Sequence, residues 1–577
     1  MLDIKIVNGT VVDGRGKPGF AADVGIRDGR IVAIGEVTED AAEVVDAKGQ
    51  VVCPGFVDTH THYDAQLFWD PDVTPSCFHG VTTILAGNCG FSIAPLTKDS
   101  AEYLLPMLAR VEGMPQASLE EGVPWNWDSF GSYLERLDNT LGINAGFFVG
   151  HSAIRRAVMG PRAVGSEATG EELAAMCDLL DKSLDEGALG LSTTVSRSHN
   201  DADGNPVPSR HASRDEFLSL ASVVGKYEGT SLELLPNLDF DDDMKELMAD
   251  FSLAARRPVN WNVLSIADAS EHSKAEAERM LAVSDYARRK GGAVIALVFV
   301  APPTMRLNFV SGFVLDSLYG WEELFKLPAI DRIEKLKDPE YRRRLDENAK
   351  SEKAGVFRQM SDWHNWIVAE TFSPETAQFK GRRVKDIAEE LGKLPFDAMI
   401  DVVVADGLKT SLLRKSGKED KASYELRAQV WKDDRTVVGA SDAGAHMDMI
   451  DAFAFSTKLL QTGVREHQVI SLEDAIHELT EVPAKMMGLR ERGVIREGWH
   501  ADIVVFDPAT VGLSDIYTRF DLPADEGRLY ADAHGISRVI VNGRTIVKDG
   551  EHTGAKPGKV IRSGVDTYTN ELEPVAA

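Results

Sequence analysis

Cysteine is scarce in this chain. Cys53, Cys77, Cys89 and Cys177 are the four present among 577 residues, and no two make a Cys-x-x-Cys pair. That density excludes a disulfide framework. Positive charge is also in short supply, with 63 Lys and Arg against 91 Asp and Glu and a formal net charge of −28 at pH 7. Such a surface repels phosphate backbones and anionic bilayers, which excludes nucleic acid and membranes as partners. Charge within one site can still oppose the global sign. No apolar run approaches the about 18 residues that a membrane-spanning helix needs. The opening MLDIKIVNGT reads as a strand, without the basic and apolar regions of a secretory signal. A cytoplasmic location is the expectation. Internal repeats and low-complexity tracts are absent as well.

What is present is ample core material. Hydrophobic residues make up 43% and charged residues 27%, a globular balance. The length exceeds one ordinary compact domain but suits a large α/β barrel with a smaller domain attached. Both ends are β-rich. DIKIVNGTVVDG and ADVGIRDGRIVAIG near the start, and ADIVVFDP and SRVIVNGRTIVKDGEHTG near the end, are β-branched runs broken by Asn-Gly and Asp-Gly turn signals. The two ends are therefore expected to build one small β-domain, from residues 1–54 and 491–577, around a middle of residues 55–490.

That middle alternates apolar strands with helical patterns. Eight strands are expected, at 55–62, 82–88, 143–151, 188–194, 230–236, 258–264, 293–300 and 436–442. Eight βα units predict a closed (β/α)8 barrel, whose active site lies at the C-terminal ends of the strands. The long gap before the last strand marks an insertion near 302–380, rich in aromatic and basic residues. Its Phe309, Trp363 and Trp366 are candidates for an apolar lid over the barrel mouth, against the commoner fate of aromatics in a core.

The chemistry begins at GFVDTHTHYD. Residues two apart on a strand point the same way, so His60 and His62 project together at the end of the first barrel strand. Two converging imidazoles can bind one Zn2+; solvated histidines at a polar strand end are the alternative. Asp442, in GASDAGAHMD, ends the eighth strand and would sit beside the first in a closed barrel. It can ligate the metal and accept a proton from water, or act as a helix N-cap. Cys89 ends the second strand, where it can supply a thiolate or be a small buried hydrophobe. His151 ends the third, where it can bind metal, polarise a substrate carbonyl or serve as a structural hydrogen bonder. Asn262 on strand six and His446 past strand eight are candidate substrate contacts.

The segments PGFVDTHTH, GVTTILAGNCGFSIAPL, VGHSAIRRAVMG, DEGALGLSTT, SDAGAH and GVIREGWHADIVVFDP together resemble the amidohydrolase superfamily, in its N-acyl-D-amino-acid deacylase (D-aminoacylase) branch. GNCGFSIAP and GHSAIRRAVMG are the specific pieces, and the resemblance spans nearly the whole chain. It implies a metal-bearing (β/α)8 barrel plus a small β-sandwich made from both termini. It implies His60, His62 and Asp442 as ligands of one metal position and Cys89 as the cysteine ligand. Three departures stand out. The deacylases' histidines on strands five and six are replaced by SLELLP and VNWNVL, where the nearest polar residues are Glu233, Asn260 and Asn262. Strand four, ALGLSTT, offers no lysine for a carbamate bridge. The tyrosine and arginine patterns that hold a D-amino-acid carboxylate are missing after strands four and eight. One Zn2+ is therefore expected, the second position having lost its histidines, together with a substrate unlike the branch's usual one.

The expected function is metal-dependent hydrolysis of an amide C–N bond in a small molecule such as an N-acylated amino acid. Asp442 would be general base and acid, and His151 a second catalytic group. The same machinery suits a cyclic amide, a carbamate or an ester, and a barrel that has lost ligands could instead be a non-catalytic binding protein. Large barrels commonly associate, so a homo-oligomer is expected.

Overall fold

The computed structural model describes residues 1–237, 239–415 and 417–572. Eight parallel strands close on themselves. They are β1 (Phe56–Asp58), β2 (Val81–Ala86), β3 (Asn144–Phe147), β4 (Gly190–Thr194), β5 (Ser231–Leu235), β6 (Val259–Leu264), β7 (Val294–Val298) and β8 (Thr436–Val438). Each of the eight apolar runs in the sequence supplies one of them. Neighbours pair in register from β1 through β3, a short continuation at Val149–Gly150 carries the ladder to β4, and pairing runs on to β8. The ring closes where Thr59 N–H donates to Gly439 O at 2.9 Å and His60–Thr61 pairs with Ala440–Ala443. Strands covered on both faces must be apolar nearly throughout, and every residue of β2 is buried.

Helices Arg214–Val224, Asp242–Ala255 and Glu271–Lys290 lie in the connections from β4 to β7. Each starts where a short polar side chain, Ser213, Asp241 or Ser270, accepts a backbone N–H of the first turn. Among the described residues, no helix is long and apolar enough to cross a membrane.

The termini build a sandwich of two sheets. One holds Arg30–Gly35, Asp23–Arg27, Leu2–Val7 and Ala41–Asp46; the other mixes Val51–Pro54 and Thr10–Val11 with Ile503–Phe506, Ile536–Val541 and Arg544–Lys548 from the far end. Alternation along Ile503–Phe506 joins the two units. Ile503 and Val505 enter the sandwich core with Ile4, Ile6 and Val24, while Val504 and Phe506 face the barrel's main core. Two-residue turns at Asp28-Gly29 and Asn542-Gly543 have φ of 51° and 76°, and of 44° and 74°, as such hairpins require. These two turns abut, since a Cβ on Gly543 would lie 2.8 Å from Gly29 Cα. Past the sandwich the chain returns to the barrel, and Val560–Ile561 pairs with Ala145 and Gly146 of β3.

Between β7 and β8 the chain forms a second apolar core. It is built on a three-stranded sheet of Met305–Leu307, Ser411–Arg414 and Ile367–Glu370, and its members run from Leu307 to Leu412, joined by Met449 and Ile450 from beyond β8. Phe309, Trp363 and Trp366 are 0%, 2% and 1% exposed in that core. This corrects the lid expectation for these three rings: an added unit of this size needs its own apolar interior, and they fill it. Phe313 is the aromatic that reaches the mouth, stacking on His446 with centroids 5.0 Å apart.

Candidate metal centre

Polar groups converge at the C-terminal ends of the barrel strands. Alternation turns His60 and His62 to one side, and their rings meet edge to face with centroids 5.3 Å apart. His62 N–H donates to Ala443 O at 2.7 Å, which fixes the β1 extension against the loop carrying Asp442. His62 Nε2 lies 3.1 Å and His60 Nε2 3.6 Å from Asp442 Oδ1. Cys89 Sγ lies 3.6 Å from His60 Nε2, and Asn262 Nδ2 faces both at 3.2 Å from His60 Nε2 and 3.5 Å from the sulfur. His446 Nε2 stands 3.9 Å from Asp442 Oδ2. Thus His60, His62, Cys89, Asn262, Asp442 and His446 share one site.

Buried scaffolding holds these groups. Asp58 accepts from Ser441 Oγ, tying the residue before Asp442 to β1. Gly444 has φ of 87°, and a Cβ there would come within 2.7 Å of His62 backbone atoms. A side chain would therefore push the Asp442 loop off the histidines. Asn88 spans β1 and β2, donating to Thr61 O and Leu85 O at 3.0 Å each. Cys89 and Asp442 take left-handed backbone, with φ of 55° and 56°, a cost that non-glycine residues carry chiefly where function needs it.

His151 stands apart from this group. Its Nδ1 lies 2.9 Å from Thr193 Oγ1 and its Nε2 2.8 Å from Glu216 Oε1, with Arg155 paired to the same carboxylate. Both ring nitrogens are engaged with protein partners in the wall of the barrel.

Three residues join the site without having been singled out as candidates. Glu233 of β5 accepts from Cys89 N–H at 2.8 Å, and its other oxygen faces His60 Nδ1 at 3.9 Å. Its place on an expected strand made it findable. Glu112 lies 3.6 Å from His62 Nε2 and follows a helix far from any barrel strand, so no local pattern marks it. His199, past β4, packs on Phe91 with centroids 5.0 Å apart, and its Nδ1 has no partner.

The electrostatics favour a cation. Burial drives the His60 imidazole down to about 3 despite the pull of Asp442. Burial also opposes charge on His62, but Glu112 and then Asp442 outweigh it and raise that pKa to about 9. Burial pushes Asp442 upward, and the adjacent imidazoles, His62 foremost, hold it well below the usual carboxylate range. Burial lifts Glu112 to about 7 and Glu233 to about 8. Meanwhile His60 Nδ1, both nitrogens of His62, Glu112 Oε1 and Glu233 Oε1 are buried without hydrogen-bond partners. Buried polar atoms are rarely left so. Ligand atoms of His60, His62 and Cys89, and again of His62, Glu112 and Asp442, lie within 4.8 Å of one another. Imidazole, carboxylate and thiol donors at this spacing fit a divalent ion such as Zn2+, which would displace the His62 proton on binding.

Residues 43–547 match the amidohydrolase family model. This chain belongs to the amidohydrolase family. The amidohydrolase is 30% identical to N-acyl-D-aspartate deacylase of Alcaligenes xylosoxydans xylosoxydans over 97% of its own length and 95% of the relative's. It is 27% identical to D-aminoacylase of the same organism, over 97% of each chain. A solved D-aminoacylase, studied for a binuclear metal center with one-metal activation and second-metal attenuation, superposes with a TM-score of 0.64 at 26% identity, covering 97% of this chain and all of that one. The amidohydrolase therefore sits in the D-aminoacylase-like branch, as a metal-binding enzyme acting on carbon–nitrogen bonds other than peptide bonds.

Proposed function

We propose that this amidohydrolase removes the acyl group from an N-acylated amino acid or a related small amide, using a single divalent cation held chiefly by His60, His62 and Asp442. The observation that carries the reading is the convergence of two buried imidazoles, with His60 Nδ1 and both nitrogens of His62 lacking hydrogen-bond partners, on one aspartate oxygen at the mouth of a closed barrel. Zinc bound there would supply Lewis acidity, polarising the amide carbonyl and bringing the pKa of a water toward about 7.

The protein groups carry the proton traffic. Asp442, kept anionic by His62 and open to solvent over 22% of its side chain, takes a proton from the attacking water and delivers it to the departing nitrogen. Cys89 and Asn262 flank His60 and fix its ring, and Asn262 and His446 line the space a substrate would enter. Strands five and six offer Glu233 and Asn262 in place of histidines, so support for a second cation is weaker than for the first.

The test is a panel of N-acetylated amino acids in both stereochemical series, read by release of free amine. At least one member is turned over by the metal-loaded enzyme. Asp442→Asn lowers that turnover by roughly 10²–10⁴-fold, while metal content, measured by mass spectrometry, persists through the two histidines. Undiminished turnover in Asp442→Asn would overturn the assignment.

A further inference from the structure

Glu112 lies outside all eight barrel strands, at the end of the helix Lys98–Val111 that follows β2. It is nonetheless 2% exposed. Its Oε2 lies 3.6 Å from His62 Nε2, and its Oε1 has no hydrogen-bond partner. The ion-pair partners of Glu112, Glu233 and Asp442 among the described residues are all imidazoles. Buried carboxylates are disfavoured unless positive charge balances them, and here the buried Glu112 and Glu233 and the partly exposed Asp442 share three imidazoles.

The placement of Glu112 is itself built. His446 N–H donates to the Glu112 backbone carbonyl. The next residue, Gly113, has φ of 57° and packs so closely that a Cβ would lie 3.3 Å from His446 Cα and Nδ1. His446 belongs to the loop that carries Asp442. Two distant parts of the chain are thereby clamped together, with both carboxylates aimed at His62.

We propose that Glu112 is a ligand of the same divalent cation as His62 and Asp442, completing a set of two imidazoles and two carboxylates. The proposal rests on the metal reading above. Two anionic oxygens match the ion's double charge, and they shift the donor set toward hard ligands relative to one closed by the Cys89 thiolate.

The experiment uses Co2+ as probe, titrated into the metal-free full chain against a chromophoric chelator, with the visible absorption of bound Co2+ as a second readout. The wild-type chain takes up about one Co2+. Glu112→Gln, nearly the same in shape, binds Co2+ at least about tenfold more weakly, since even outer supporting groups are worth that much. The absorption of its bound Co2+ also changes in intensity, because a donor has been lost. Wild-type affinity and an unaltered spectrum in Glu112→Gln would overturn the proposal while leaving the metal reading intact. Failure of the wild-type chain to bind Co2+ would overturn both. Should Glu112→Gln not fold, Glu112→Asp withdraws the carboxylate by one methylene, and the same two readings decide.

Discussion

Four histidines of this barrel are 1% exposed or less, yet they fall into two kinds. In the wall, His151 bridges Thr193 and Glu216, and His79 lies 2.6 Å from Thr457 Oγ1 and 3.1 Å from Ala531 O. Every ring nitrogen of that pair has a protein partner. At the mouth, His60 has no partner at Nδ1 and His62 none at either nitrogen. Burial is the same and the residue type is the same. What separates the two pairs is whether the protein itself completes their hydrogen bonds, and a buried donor or acceptor left unmade is costly.

The contrast breaks most sharply by truncation at the mouth. His60→Ala or His62→Ala should remove the bound metal and lower turnover by roughly 10³-fold or more, as loss of one strong electrostatic contributor does. Metal analysis and an amine-release assay read both. Retention of stoichiometric metal in both variants would put the mouth histidines in the same class as those of the wall.

A smaller effect is expected from pH acting on the wall. Burial holds His79 down to about 4, although its contact with Ala531 O favours the charged form. The unfolded chain, with an ordinary histidine near 6.5, binds more protons between those values. Stability contributed by the neutral ring is therefore present above about pH 6.5 and is lost as pH falls toward 4, on the order of 3 kcal/mol in all. Urea denaturation of the wild-type chain and His79→Gln across that window should show a shallower pH dependence in the variant. Parallel curves would mean that His79 does not carry the effect.

The gentlest test is His151→Ala. It should cost about 1–3 kcal/mol of stability by leaving Thr193 and part of Glu216 unpaired, with metal content unchanged. Loss of metal together with stability would bring His151 back to the mouth.

The same contrast explains what was legible in the sequence. The eight strands announced themselves because a parallel strand buried on both faces must be apolar, and TTILAGN and AVIALVFV say so locally. His60 and His62 were legible because strand alternation is a rule of period two. Asp442 is legible because closing an eight-stranded barrel sets the end of its last strand beside the first. The partners of His151 are not legible, because a histidine ending a strand looks the same from the sequence whether Glu216 is there to receive it or not. Glu112 was illegible for a related reason. Its approach to His62 depends on a backbone bond from His446, and no neighbour in the sequence encodes that meeting. Phe309, Trp363 and Trp366 were open to two readings, and only the size of the unit they fill decides between them.

The meeting of the Asp28-Gly29 and Asn542-Gly543 turns has a consequence for biosynthesis. The strand Val51–Pro54, which leads directly into the barrel, pairs with Thr10–Val11 on one side and Ile503–Phe506 on the other. A nascent chain can form the Thr10–Val11 side of that sheet early, but the other flank waits, unpaired, until Ile503–Phe506 has been made. Unpaired edges of this kind invite association between chains. The strand Val51–Pro54 is therefore the stretch that a chaperone would need to shield longest, and truncation before Ile503 would leave that edge open for good.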